Sequence, residues 1–156
     1  MKYEKTIGFY CPFIHNNQEH QRLADLLNDL SDDFTTVLFN SSYGIINNNI
    51  VKYAILHCNQ AKYFYGKLFL FDIDSVSIAN TFPGPSKKIF IASDIFWENK
   101  SMPASVLSNL VSDDIDILTY DKTTYDLYDI CLKTPIHNFE NGLNNESIKK
   151  VIYEQL

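Results

Sequence analysis

The chain has 156 residues, a length that suits one domain with a real core. It is 46% hydrophobic and 14% aromatic, with ten tyrosines and eleven phenylalanines, and its formal net charge is −6. That balance excludes long-range electrostatic attraction to DNA or an anionic membrane, and the longest basic clusters are only Lys87-Lys88 and Lys149-Lys150.

The three cysteines, Cys11, Cys58 and Cys131, are odd in number and far apart, and no C-x-x-C occurs. The expectation is buried, reduced thiols in a cytoplasmic protein, without a disulfide framework or zinc site. Met1 to Lys5 runs straight into a strand pattern with no signal-peptide apolar region. No apolar run has the length to span a bilayer, so neither membrane nor nucleic acid is an expected partner.

In chain order, Thr6 to Cys11 is a strand that Pro12 stops. Asn16 and Glu19 resemble a capping box, and Leu23, Leu26, Leu27 and Leu30 follow at the spacing of one helical face. Thr35 to Asn40 is a second strand, with the polar loop Asn40-Ser41-Ser42 at its carboxyl end. Tyr53 to Cys58 is a third, then an aromatic connector without a clear pattern, then Lys67 to Phe71 as a fourth. Asp72-Ile73-Asp74 opens a short helix reaching towards Phe82, and Pro83-Gly84-Pro85 turns the chain.

The fifth strand is the apolar run Ile89 to Ala92, which leads into Ser93-Asp94 and the single tryptophan, Trp97. A helix follows Pro103 and carries Val106, Leu107, Leu110 and Val111. Asp116 to Thr119 is the sixth strand, and Asp121 caps a helix presenting Tyr125, Tyr128 and Leu132. Pro135 to Phe139 is the seventh, before a last helix that buries Ile148, Val151 and Ile152. Strands alternate with helices, and the later strands are unbroken apolar runs. This predicts a single Rossmann-like, doubly wound α/β domain over 1–156, with about seven mostly parallel strands covered on both faces.

In such a sheet the carboxyl ends of all strands share one edge, and ligands bind there. The residues after each strand are therefore the candidates. Neither G-x-G-x-x-G nor a P-loop occurs among them. Asp94 can act as a general base towards a substrate hydroxyl, or cap the next helix. Trp97 can stack on a sugar or base, or fill the core. His15 lies on the loop after the first strand; His57, within a strand pattern, is by default a core histidine. Asp72 and Asp74 form a strand-end D-x-D. That string resembles both the first motif of haloacid-dehalogenase-like phosphatases and the metal-binding D-x-D of GT-A glycosyltransferases. In the bland alternative, Asp74 or Ser75 caps the helix.

From Lys87 onward the sequence resembles the second half of the N-terminal, acceptor-side domain of GT-B glycosyltransferases. In layout it is similar to the DNA β-glucosyltransferases of T-even-type phages. The matching segments are Ser93-Asp94-Ile95 at the strand end that carries that family's catalytic aspartate, Trp97 downstream, and Pro135-Ile136 through Gly142-Leu143-Asn144. The loop Asn40-Ser41-Ser42 also resembles a family loop. The resemblance implies Asp94 as base, with His15, Ser41, Trp97 and Asn138 lining an acceptor cleft. It implies no cofactor bound by this chain alone, and a nucleotide-sugar donor held by a second domain on a partner chain, since no such domain is found in this sequence. Cys11-Pro12-Phe13 replaces the family's glycine-rich turn. Two other readings stand beside this one. The first is a non-catalytic binding or structural protein of a larger assembly. The second is a small Mg-dependent phosphatase using Asp72 and Asp74.

Overall fold

The computed structural model describes residues 5–12, 18–41, 51–84, 87–92, 104–119, 121–133, 135, 137–138 and 144–154. Seven strands form one sheet: β1 (Thr6–Tyr10), β2 (Thr35–Asn40), β3 (Ala54–His57), β4 (Lys67–Leu70), β5 (Lys87–Ala92), β6 (Ile115–Thr119) and β7 (His137–Asn138). Their order is β3-β2-β1-β4-β5-β6-β7, and every neighbouring pair is parallel. The helices are α1 (Gln18–Leu30), α2 (Ile73–Asn80), α3 (Ala104–Leu110), α4 (Lys122–Cys131) and α5 (Asn145–Glu154). A 3-10 helix, Cys58–Tyr63, links β3 to β4. None of the described helices is long and apolar enough to cross a membrane.

Strand side chains alternate between faces, which splits the core in two. On one face Ile7, Phe9, Leu38, Phe69 and Ile89 pack under the leucine stripe of α1 and under Ile148, Val151 and Ile152 of α5. On the other, Tyr10, Phe39, Leu68, Leu70 and Phe90 meet Phe64, Val76, Leu110 and Tyr128. The winding therefore reverses between β1 and β4. The chain steps outward from β1 to β3 on one side, then returns across the sheet and steps from β4 to β7 on the other.

Several elements differ from the sequence expectation. The third strand is shorter, because Cys58 already begins the 3-10 helix. Of the seventh, Pro135–Phe139 in the sequence expectation, His137 and Asn138 are the described residues that pair with β6. In α3, Val106 and Leu110 are buried, whereas Val111 lies past the helix end and is 48% exposed. Along α4, Thr124 and Tyr128 are buried and Tyr125 only half so. All three cysteines are free, but only Cys11 is buried; Cys131 is exposed.

Three helices start alike. Asp72 accepts from the Ser75 backbone N–H and from its hydroxyl, each at 2.7 Å. Asp121 accepts from the Thr124 N–H and hydroxyl at 2.9 and 2.7 Å. Asn144 Oδ1 accepts from the Ser147 N–H and hydroxyl, both at 2.8 Å. In each, a hydroxyl residue three positions on completes the N-cap. The Thr124 hydroxyl first, and its N–H second, hold the Asp121 carboxyl below the usual carboxylate range. A carboxylate with a lowered folded-state pKa adds stability above its unfolded pKa, and that stability disappears as pH falls through the folded value. Asp121→Asn is therefore expected to lower the melting temperature at neutral pH, with the gap to the parent closing below about pH 4. Thermal melts across an acid pH series check this.

Candidate functional site: the carboxyl edge of the sheet

The winding reverses between β1 and β4, and the carboxyl ends of the strands at such a reversal are where open α/β sheets take ligands. The described residues around it are Tyr10, Cys11 and Pro12 after β1, Asn40 and Ser41 after β2, His57 and Cys58 after β3, and Phe71 and Asp72 after β4.

The β1 and β2 ends are fastened together. The Cys11 N–H donates to the Phe39 carbonyl at 3.0 Å, which continues the ladder one step past β1. Asn40, only 2% exposed, donates its Nδ2 to the Cys11 carbonyl at 2.8 Å. The Ser41 backbone N–H donates to the Pro12 carbonyl at 3.1 Å, and its hydroxyl donates to the same oxygen. Pro12 thus ends β1 without leaving its carbonyl orphaned. Asn40 and Ser41 thereby hold the chain in place at Cys11 and Pro12.

Asp72 sits beside this clasp. Burial pushes the Tyr10 phenol up to about 12, with the charges of Cys58 and then Asp72 adding to it. Burial and then the Asp72 charge push the Cys11 thiol up to about 12 as well. Both groups are therefore neutral at physiological pH, and Cys11 is no thiolate nucleophile. No lysine or arginine stands among these described strand-end residues. A phosphate placed here meets the Asp72 carboxylate without a described cation to offset it.

His57 is half-buried at the end of β3, and its role differs from the core histidine expected. Its Nδ1 accepts the Asn59 N–H at 3.2 Å, which caps the 3-10 helix. Cys58 Sγ lies 3.8 Å from the same nitrogen, so that nitrogen is already engaged as an acceptor and is poorly placed to activate the thiol. Asp72 is the cap of α2, in place of the Asp74 or Ser75 expected, and Asp74 is exposed in the first turn. No cluster of three or more metal-ligating side chains occurs among the described residues.

Of the acceptor residues that the sequence singles out, Ser41 lies just past the end of β2, in the clasp. Asn138 is on β7, its backbone paired with Thr119, four strands away from β1. Asp94, His15 and Trp97 lie outside the described residues; β5 ends at Ala92, two positions before Asp94. Tyr10, whose ring packs edge-on against Phe82 in the core, is the strand-end residue that sequence reasoning missed. As the last residue of β1, its phenol was discoverable from the alternation that places it on the face opposite Phe9. No protein-family model, curated protein or solved structure matches the chain.

Proposed function

We propose that this chain is the acceptor half of a GT-B-like glycosyltransferase, active only with a donor-binding partner. The observation that carries the reading is the winding reversal of an all-parallel sheet, whose strand ends there carry neutral hydroxyl, thiol and amide groups with one carboxylate. Such a set of groups favours a hydroxyl-bearing acceptor over a nucleotide phosphate, which fits a division of labour in which the partner holds the nucleotide sugar. In this reading Asp94 is the base that takes the acceptor proton, and His15, Trp97, Ser41 and Asn138 line the acceptor path. The free cysteines suit a cytoplasmic setting.

The test is sugar transfer in the presence of a donor-domain protein. Asp94→Asn is expected to lower the rate about 10²- to 10⁴-fold, the range of a lost general base, with little change in folding. Transfer that survives Asp94→Asn sinks the proposal. A second reading, a non-catalytic protein that works through contacts, is favoured by the exposed Leu56, Tyr63 and Tyr65 beside the edge strand β3. Parent chain that transfers no sugar with any donor domain but co-purifies with an assembly supports it instead. A phosphatase built on Asp72 gains least support, because both oxygens of that carboxylate are already engaged by Ser75.

A further inference from the structure

Away from the candidate site, at the amino edge of the sheet, Lys88 of β5 is 7% exposed. Among the described residues it is the one formally charged residue that is buried. Strand alternation places its side chain on the face of Phe90 and Ala92. Its register neighbours there are Leu68 of β4 and Ile115 of β6, both fully buried.

An ammonium withdrawn from water loses its hydration, so buried charges in folded proteins are paired. The neighbouring lysines at this edge follow that rule. Lys67 Nζ donates to the Ile152 carbonyl of α5 at 2.5 Å, and Lys87 pairs with Asp116 at 2.8 Å. Lys133 Nζ donates to the Ser112 and Ile115 carbonyls at 2.9 and 3.1 Å. Lys88 has no hydrogen bond or ion pair among the described residues.

Nearby acceptors are already engaged. The chain enters β5 after α2 and β6 after α3, and Asn80 Nδ2 ties the last turns of the two helices together by donating to Asn109 Oδ1 at 2.7 Å. The Ile78 carbonyl accepts the Thr81 hydroxyl and the Asn109 carbonyl the Ser112 hydroxyl, each at 2.7 Å. The Ala79 carbonyl accepts the Phe82 N–H at 3.0 Å. Asp113 and Asp114, in the turn before β6, are exposed, and neither pairs with Lys88. Lys88 Nζ is nevertheless not sealed in. Among the described residues the fully buried side-chain atoms without a partner are Tyr53 Oη and Asn145 Oδ1, so the lysine tip reaches the surface. With so little of the residue exposed, snorkelling leaves the ammonium short of a full water shell.

We infer that the Lys88 ammonium is the anchor of a site for a small oxyanion, a phosphate or a carboxylate, at the amino edge of the sheet. An ammonium offers three donors and no acceptor, and an oxyanion supplies the lone pairs that the protein does not. Lys133, held on the carbonyl of the residue beside Lys88, adds a second positive charge. Leu68 and Ile115 fill the floor on either side of Lys88, which limits the ligand to a small one. This site is independent of the acceptor reading, since it lies at the other end of the strands.

Thermal melts of the full chain test this, with chloride exchanged for inorganic phosphate or for acetate at constant ionic strength. At least one of the two is expected to raise the melting temperature saturably, by about 2–4 °C, and which one does so identifies the oxyanion. Lys88→Met keeps the stem, removes the charge and is expected to abolish the shift. Lys88→Gln makes the same comparison if the methionine variant does not fold. Lys87→Met, on the opposite face of the same strand, is expected to keep the shift. A parent chain that melts alike in chloride, phosphate and acetate overturns the inference. So does a shift of parental size in a folded Lys88 variant, which places the anion elsewhere.

Discussion

Replacing Phe69 by alanine is expected to lower the free energy of unfolding by about 4 kcal/mol, at the upper end of what a core truncation removes. Phe69 is fully buried at the middle of β4. Its backbone is paired on one side with Phe9 of β1 and on the other with Ile89 of β5. Its ring stacks on that of Phe9, with centroids 5.0 Å apart and planes 17° from parallel. Strands on both sides and α1 above hold the site, so the surroundings have little room to close over the void. The loss is a large share of the roughly 5–15 kcal/mol that stabilises a typical domain. Urea unfolding of Phe69→Ala beside Tyr63→Ala separates the core from the surface. Tyr63 is 66% exposed, and its truncation is expected to shift stability by no more than about 0.5 kcal/mol. Similar midpoints for the two variants contradict this account of the core.

Phe69 also shows why much of the fold is legible in the sequence. Leu68-Phe69-Leu70 is an unbroken apolar run, as a strand covered on both faces requires, and the α1 leucines recur at helical spacing. Cys58–Tyr63 has neither signal. Its 3-10 turn depends on what its neighbours find to pack against. Ala61 is buried, and the Phe64 ring lies where a side chain at position 8 would be, against Gly8 of β1. That complementarity joins residues more than fifty positions apart and leaves no local pattern.

The candidate site was legible to a different depth. Strand ends can be named from sequence once a parallel sheet is inferred, but strand order decides which ends are neighbours. Cys11, Asn40 and Asp72 are far apart in the chain and meet only because β1 lies between β2 and β4. Nor does residue type reveal whether a polar group is available to a ligand. Ser41 is a plausible acceptor contact by composition, yet its hydroxyl is spent on the Pro12 carbonyl. Asp72 carries the same ambiguity, and the serine three positions later decides it. A D-x-x-S string after a strand reads as a cap before it reads as a nucleophile.

Gly66→Ala is the second large effect expected, a loss of roughly 3 kcal/mol from backbone strain and steric conflict together. Gly66 has φ +139°, a conformation that residues with a Cβ rarely adopt. A Cβ there lies 2.3 Å from the Thr6 carbonyl oxygen and 3.2 Å from Phe64 Cζ. The first contact is with backbone at the start of β1, which is held by its pairing with β2 and β4. The Gly66 carbonyl accepts the Lys87 N–H at 3.0 Å, so moving the turn also disturbs the entry to β5. Gly8→Ala makes the informative comparison. Its new Cβ meets the Phe64 ring at 2.9 Å and the Phe39 ring at 3.0 Å, both side chains rather than backbone and both lining an open groove, so a smaller loss is expected. Chemical denaturation of the two variants ranks them. If Gly8→Ala proves the costlier, the Phe64 ring is held more firmly than the open groove implies, and the backbone of the β3-to-β4 crossover yields more easily than its position between β1 and β5 suggests.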